Sequence, residues 1–566
     1  MTSGLRQGLT SYGDESFSLF LRKAFIKAMG YSDDALDRPI VGITNTYSDF
    51  NPCHGNVPDL IEAVKRGVML AGAMPFVFPT ISIHESFAYP TSMFLRNLMA
   101  IDTEEMIRAL PVDSVVLIGG CDKTTPAQVM AAASADKPAI VLPVGPMLVG
   151  HFKGEALGAC TDCRRLWGEY RGGRMSEEDI NVANARLVPS IGTCGVMGTA
   201  STIACMMEAL GLALPGAASI PATHADRVRV AEATGNRAAA MTKGGPKPSE
   251  ILTKDAFHNA MVVLQAIGGS TNGVVHLCAI AGRTPYPIAL EDYDRIGRQT
   301  PVLVDLKPSG QHYMEHFHQA GGVPRLMQEL KDLLALDAKH VNGATLGDAI
   351  KAFDDVPGQA VIKPRNAPLK KEGGIAILRG NLAPRGAVIK QSAASGKLMQ
   401  HEGKAVVFDS VDDMTRRIDD PALDVGETDV LVLRNAGPVG APGMPEAGYL
   451  PIPKKLAQKG VKDMVRISDA RMSGTAAGTI VLHIAPEAAV GGPLALVQNG
   501  DRIRLDVAAR KIELLVAEAE LKKRKDAWRA PEIPKEAKRG YARLYREHVQ
   551  QADEGCDFDF LVQSQE

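Results

Sequence analysis

The sequence predicts an α/β protein, built as an N-terminal parallel-sheet α/β domain followed by a C-terminal β-rich, barrel-like domain. Three features predict it. At 566 residues the chain exceeds what one hydrophobic core usually fills. Over its first two-thirds, short β-branched runs alternate with amphipathic helical stretches. Beyond Pro364, short Val/Ile runs separated by Gly and Asp replace that rhythm.

Residues 39–46 (PIVGITNT) read as a strand and 57–71 as a helix. Residues 76–83 read as a second strand, followed by a helix over 93–110. A third strand is expected at 113–119 (DSVVLIG), a helix at 126–133 and a fourth strand at 139–144. Such βαβα alternation implies a mostly parallel sheet with helices on both faces. The uncharged stretch 256–282 is long enough to raise the question of a membrane span. Gly268-Gly269-Ser270-Thr271-Asn272-Gly273 in its middle would break one, so it reads as two buried helices about a glycine turn. Pro364-Arg365-Asn366-Ala367-Pro368-Leu369-Lys370-Lys371 reads as a linker, which sets the expected domains at 1–368 and 369–566. The runs GGIAILRG, GAVIKQ, KAVVFDS, TDVLVLRN, DMVRIS and GTIVLHIAP then suggest barrel strands. Asn499-Gly500, between LALVQ and DRIRLDV, predicts a hairpin, and the charged stretch 535–549 a surface helix.

Hydrophobic residues at 45% and charged residues at 23% are those of a globular protein. With 63 basic against 65 acidic residues, no basic footprint for nucleic acid exists. The opening Met1-Thr2-Ser3-Gly4-Leu5-Arg6 lacks a charged segment followed by an apolar core. A cytoplasmic protein with no membrane partner is expected. Eight scattered cysteines do not make a disulfide scaffold.

Ligands of an open parallel sheet gather beyond the carboxyl ends of its strands. Three loops at such ends carry reactive side chains: Asn51-Pro52-Cys53-His54-Gly55, His84-Glu85-Ser86, and Gly119-Gly120-Cys121-Asp122-Lys123-Thr124. A fourth segment, Gly192-Thr193-Cys194-Gly195, precedes an apolar helix whose amide dipoles favour a thiolate. An isolated cysteine is usually a small buried hydrophobe, which suits Cys205, Cys278 and Cys556. Cys53, Cys121 and Cys194 fit that role poorly, each lying in a Gly-bearing loop. Cys160-Thr161-Asp162-Cys163 invites a zinc or redox reading. No further ligands adjoin it at ordinary zinc spacing, so a functional role for Cys160 and Cys163 is the minority reading.

Cys121-Asp122-Lys123-Thr124, Pro52-Cys53-His54 and the Cys194 segment together resemble the dihydroxy-acid dehydratase and phosphogluconate dehydratase family. The resemblance extends through Gly268-Gly269-Ser270-Thr271-Asn272 and Gly380-Asn381-Leu382-Ala383-Pro384. It continues in Gly437-Pro438, Gly443-Met444-Pro445-Glu446, Ser468-Asp469-Ala470-Arg471-Met472-Ser473-Gly474, Ala485-Pro486-Glu487-Ala488-Ala489 and Gly491-Gly492-Pro493. It implies a [2Fe–2S] cluster on Cys53, Cys121 and Cys194, with three thiolates leaving one iron an open position. It implies Mg²⁺ on Glu85, Asp122 and Glu446, with Lys123 carbamylated by CO₂ to an anionic oxygen ligand. It implies Ser473 as the catalytic base and Thr475 as a substrate contact. It further implies a homodimer or dimer of dimers acting on a small-molecule acid.

The activity so implied is that of a hydro-lyase converting a 2,3-dihydroxy acid to a 2-keto acid. Two segments, around Glu85 and at Asp469-Ala470-Arg471-Met472-Ser473-Gly474-Thr475, are similar to the sugar-acid branch (arabinonate and xylonate dehydratases). They depart from the Asp-Gly-Arg-Phe-Ser-Gly-Gly usual in branched-chain enzymes. A pentonate is therefore the expected substrate. The rivals are a branched-chain 2,3-dihydroxy-acid dehydratase of isoleucine and valine biosynthesis, a non-catalytic iron–sulfur sensor, and a zinc protein built on Cys160 and Cys163. A sensor would not need Glu446 and Ser473.

Overall fold

The computed structural model describes residues 3–351, 353 and 356–563; Met1 and Thr2 of the opening segment lie outside them. The first half is organised by β1 (Ile40–Asn45), α1 (Val57–Leu70), β2 (Met74–Pro79), α2 (Arg96–Ala109), β3 (Ser114–Gly119), α3 (Thr124–Ala135) and β4 (Ala139–Pro143). The four strands form a parallel sheet of order β2-β1-β3-β4. Strands β3 and β4 are buried along their whole length, which accounts for their unbroken apolar runs. The chain leaves β1 toward one edge and β3 toward the other, so right-handed crossovers put α1 on one face and α2 and α3 on the opposite one. Helix α1 packs closely on 225–241, because Gly67 and Gly235 lie where a Cβ would strike the carbonyls of Glu232 and Val64. Helices Lys254–Ala266 and Asn272–Gly282 flank the expected glycine turn and are almost wholly buried. No helix among the described residues is long and apolar enough to cross a membrane.

The second half contains β5 (Ala376–Gly380), β6 (Ala383–Ile389), β7 (Gln400–Phe408), β8 (Val430–Leu433), β9 (Arg466–Ser468), β10 (Ile480–Ala485), β11 (Arg502–Asp506) and β12 (Lys511–Leu514). They close a barrel of order β8-β9-β10-β6-β5-β12-β11-β7. The fold class is as expected, but four local expectations are corrected. The second strand is Met74–Pro79 instead of 76–83, because beyond Pro79 the Ile81 amide turns away to donate to Asp102 at 2.8 Å. The 93–110 helix begins with a 3₁₀ turn, Ser92–Leu95, and is α-helical only from Arg96. Asn499-Gly500 is not a hairpin turn. The Asn499 side-chain oxygen accepts from the Val407 amide at 2.7 Å and Gly500 N–H donates to the Ala405 carbonyl at 2.9 Å, so the pair lies along the second half of β7. The real hairpin joins β11 to β12, with Arg510 at φ 59° in its turn.

The fourth correction concerns the charged tail. Its helix is Gly540–His548, shorter than the expected 535–549; it lies on the surface as expected, docked by one face, with Tyr545 fully buried against Phe94 and Phe558 and Tyr541 donating to the Phe94 carbonyl at 2.7 Å. Two aromatics four residues apart make the buried stripe that the surrounding charge conceals. Beyond this helix the chain returns to the α/β half, where Arg283 pairs with Asp557 at 2.8 Å, both side chains fully buried. Losing Asp557 leaves Arg283 with Glu104 as its carboxylate partner, at 3.1 Å, so the cost should fall somewhat below the about 3–5 kcal/mol of a fully stranded buried charge. Asp557→Ala should therefore lower the thermal midpoint clearly, whereas Asp559→Ala, at an exposed pair with His548, should barely move it.

Candidate active site

The loops after β1 and β3 meet where the strand order reverses, the place at which open α/β sheets bind ligands. Two donor sets assemble there. The Cys53 and Cys121 sulfurs and a His84 ring nitrogen lie within 4.8 Å of one another. Carboxylate oxygens of Glu85, Asp122 and Glu446 form a second group of the same span. Because residues 84 and 85, and 121 and 122, are consecutive, the two sets must adjoin.

His54 builds the β3 loop. Its ring nitrogens stand 2.8 Å from the Thr46 carbonyl (Nδ1) and 3.0 and 2.9 Å from the Gly120 and Cys121 amides (Nε2). Nδ1 must donate and Nε2 must accept, so the ring is a neutral tautomer with no free lone pair. Burial holds its pKa down, at about 4. His54 is thus a fixed support for Cys121 and cannot serve as a base.

The carboxylates are balanced by two buried cations. Lys123 pairs with Asp122 and lies 3.4 Å from Glu85. Arg471 donates to Glu446 at 2.6 Å, to both Glu85 oxygens at 3.0 and 3.1 Å, and to Thr91 at 2.7 Å. Burial would raise the Glu85 pKa, but Arg471, Lys123 and the Ser92 and Thr91 hydroxyls hold it well below the carboxylate range. Desolvation pushes Glu446 up, and the charges of Glu85 and Asp122 reinforce it against Arg471. The Glu85, Asp122 and Glu446 side chains retain 23, 15 and 19% exposure, leaving the group accessible to a small molecule.

Cys194 joins the thiol side. Its Sγ is 3.8 Å from that of Cys160, its carbonyl accepts from the Ser201 hydroxyl at 3.3 Å, and Cys53 is near enough to act on it electrostatically. Cys160 precedes helix Thr161–Arg171, so the Cys-x-x-Cys set aside in the sequence delivers one thiol to the site. Cys163 does not follow, because its Sγ turns back to the Cys160 carbonyl at 2.7 Å.

Ser473 comes from the barrel, on the 469–479 loop between β9 and β10. Its Oγ lies 2.8 Å from the Thr475 hydroxyl and 3.4 Å from the Thr475 amide, which donates to it. The loop is docked by donors from the α/β half, Asn272 to the Met472 carbonyl at 3.1 Å and Thr161 to the Thr475 carbonyl at 2.8 Å. A Cβ on Gly474 would strike Ser270 and Thr199, so only glycine permits this approach. Sequence reasoning places His84 in a reactive loop but not among the sulfur donors, sets Cys160 aside, and misses Arg471 altogether. Arg471 lies in a motif read for its serine, and nothing in a sequence distinguishes a buried arginine from an exposed one.

Known proteins resemble this chain over nearly its whole length. Residues 38–349 match the dihydroxy-acid/6-phosphogluconate dehydratase N-terminal model and 360–556 the corresponding C-terminal model. An L-arabonate dehydratase of Azospirillum brasilense is 50% identical, over 97% of this chain and 96% of its own length. An L-arabinonate dehydratase of Rhizobium leguminosarum bv. trifolii is 48% identical, over 97% and 95%. A dihydroxy-acid dehydratase of Pyrococcus abyssi is 40% identical, over 95% and 97%.

The His54 geometry is open to test. His54→Phe leaves two buried amides without an acceptor, at about 1–3 kcal/mol each. Its thermal midpoint should fall well below that of His54→Gln, which keeps an acceptor oxygen.

Proposed function

The chain belongs to the dihydroxy-acid/6-phosphogluconate dehydratase family and is a hydro-lyase, and from that footing we propose that it dehydrates a sugar acid such as a pentonate to the 2-keto-3-deoxy acid. The observation that carries the reading is the pair of adjoining donor sets, thiols on one side and carboxylates on the other. Soft sulfur donors suit iron–sulfur chemistry and hard oxygens suit Mg²⁺. Cys53, Cys121 and Cys194 would hold a [2Fe–2S] cluster. Glu85, Asp122 and Glu446 would hold Mg²⁺ together with Lys123, whose buried amine must first become a carbamate, since an ammonium there would repel the ion. Bound there, the two groups supply Lewis acidity to the substrate's hydroxyls and carboxylate.

The protein's own part is proton transfer and orientation. Ser473 removes the C2 proton and returns it to the departing C3 hydroxyl, which leaves as water, and the resulting enol tautomerises to the 2-keto acid. A serine hydroxyl is a poor base, so it must act as an alkoxide. The Thr475 hydroxyl and amide supply two donors toward it. Thr475 also orients the substrate. The arabonate and arabinonate relatives stand at 50 and 48% identity against 40% for the dihydroxy-acid enzyme, which favours a sugar acid. Exposed Phe50, Phe87 and Tyr89 beside the site loops, with Tyr12, Phe20, Phe25 and Met29, suit burial in a homodimer or dimer of dimers. We place the enzyme in the cytoplasm, where thiols stay reduced.

Replacing Cys53, Cys121 or Cys194 by Ser should abolish the iron–sulfur absorbance, and Cys160→Ser should keep most of it. The opposite pattern for Cys160 and Cys194 would exchange their roles.

An anaerobic panel of aldonates and 2,3-dihydroxyisovalerate, followed by 2-keto acid formation, tests the substrate class, with pentonates expected to turn over fastest. On the best substrate, Ser473→Ala should lose about 10²–10⁴-fold in kcat with metals retained. Thr475→Val removes one donor to the Ser473 oxygen and a substrate contact together, so it should lower kcat by less than Ser473→Ala while also raising KM. Near-native turnover by Ser473→Ala would make Ser473 a turn residue only.

A further inference from the structure

Lys390 follows β6 at the end of the barrel that carries Ser473, and its side chain is fully buried. Its Nζ donates to the Gly474 carbonyl at 3.0 Å. Among the described residues no carboxylate pairs with it, and burial alone draws its pKa down to about 7. The chain packed around it is uncharged. Ser392 pairs with Ser309 at 2.8 Å and takes the Gly374 carbonyl at 3.2 Å, and Ser270 abuts Gly474. The charged residues of the serine loop are committed elsewhere. Asp469 accepts from the Ala436 and Ala488 amides at 2.9 Å each, and Arg471 is held by Glu85 and Glu446.

A buried lysine is ordinarily paired, and one left unpaired points to a function. Ser473 has the complementary need, since its hydroxyl ionises readily only near positive charge. We propose that Lys390 is a positioning residue for the dehydration, holding the Gly474–Thr475 peptide, whose amide donates to the Ser473 oxygen, in place and supplying the positive charge against which Ser473 loses its proton. The proposal rests on Ser473 being the base. Lys390 does not touch the substrate, and it acts through the serine.

The test uses the holoenzyme with three substitutions, Lys390→Gln, Lys390→Met and Ser473→Ala. Gln keeps a donor for the Gly474 carbonyl without the charge, and Met removes both. Both Lys390 variants should keep the cluster absorbance and thermal midpoint, with KM within about threefold of wild type. Their kcat should fall about a hundredfold or more. The acid limb of the kcat–pH profile should move upward by about a unit, because without the cation the serine holds its proton more tightly. Deuterium wash-out from substrate C2 should slow in proportion to kcat. Should Lys390→Met fail to fold, Lys390→Arg replaces it, and Arg must then outperform Gln. Near-native kcat in Lys390→Gln with an inactive Ser473→Ala would overturn the role of Lys390 while leaving the base in place. An active Ser473→Ala would overturn both. A Lys390→Gln variant losing activity only through a raised KM, with an unmoved pH profile, would reduce Lys390 to a structural contact.

Discussion

Arg471 is the interaction on which the site depends. Its guanidinium is fully buried between Glu85 of the α/β half and Glu446 of the barrel, with a further bond to Thr91. Three carboxylates drawn within 4.8 Å repel one another strongly in a partly desolvated site. A planar fork that grips two of them at once offsets that repulsion and fixes their separation, which a lysine point charge would not do. Because the two glutamates belong to different halves of the chain, the same bond that makes the carboxylate group tolerable also locks the barrel against the sheet. Ser473, two residues further on, is carried to its place by that lock.

The topology explains why two donor sets of opposite character stand side by side. The strand order reverses between β1 and β3, so their loops open into one crevice. Within these loops, consecutive residues point to opposite sides. His84 and Cys121 face the sulfur group, and Glu85 and Asp122 face the oxygen group. His54 stands behind both as a neutral acceptor for two amides, giving the Cys121 turn a rigidity that its glycines would not.

Much of this was legible in the sequence. Apolar runs buried on both faces announced the parallel sheet, and reactive residues just past the strand ends announced the site, because both follow from local pattern. What pattern could not supply was pairing across the chain. Asn499-Gly500 has the composition of a hairpin turn, yet its side-chain oxygen is taken by Val407, nearly a hundred residues away in sequence. The tail helix lies on the surface as its charge suggests, yet the face that docks it, with Tyr545 buried and Tyr541 packed against Phe94, takes its partner from more than four hundred residues away. Cys160 was discounted because its near neighbours are not ligands, while its actual neighbour, Cys194, arrives from a separate segment. Lys390 and Arg471 looked like any other basic residues until their burial was seen.

The balance of charge around Glu446 gives a reason for Lys123 to be where it is. As folded, Glu85, Asp122 and Glu446 face Lys123 and Arg471, leaving one net negative charge. In the proposed loaded state Lys123 becomes an anionic carbamate and a divalent cation enters, and the group again carries one net negative charge. Conversion of the lysine and capture of the ion are therefore electrostatically matched as a pair, whereas either alone would leave the buried group two charges out of balance. An ion without carbamylation meets the Lys123 ammonium, and a carbamate without the ion adds a fourth anion to three that Arg471 alone must hold. On the proposed function the two events would be coupled thermodynamically. Arg471, buried between Glu85 and Glu446, would be the fixed counter-ion against which that exchange takes place.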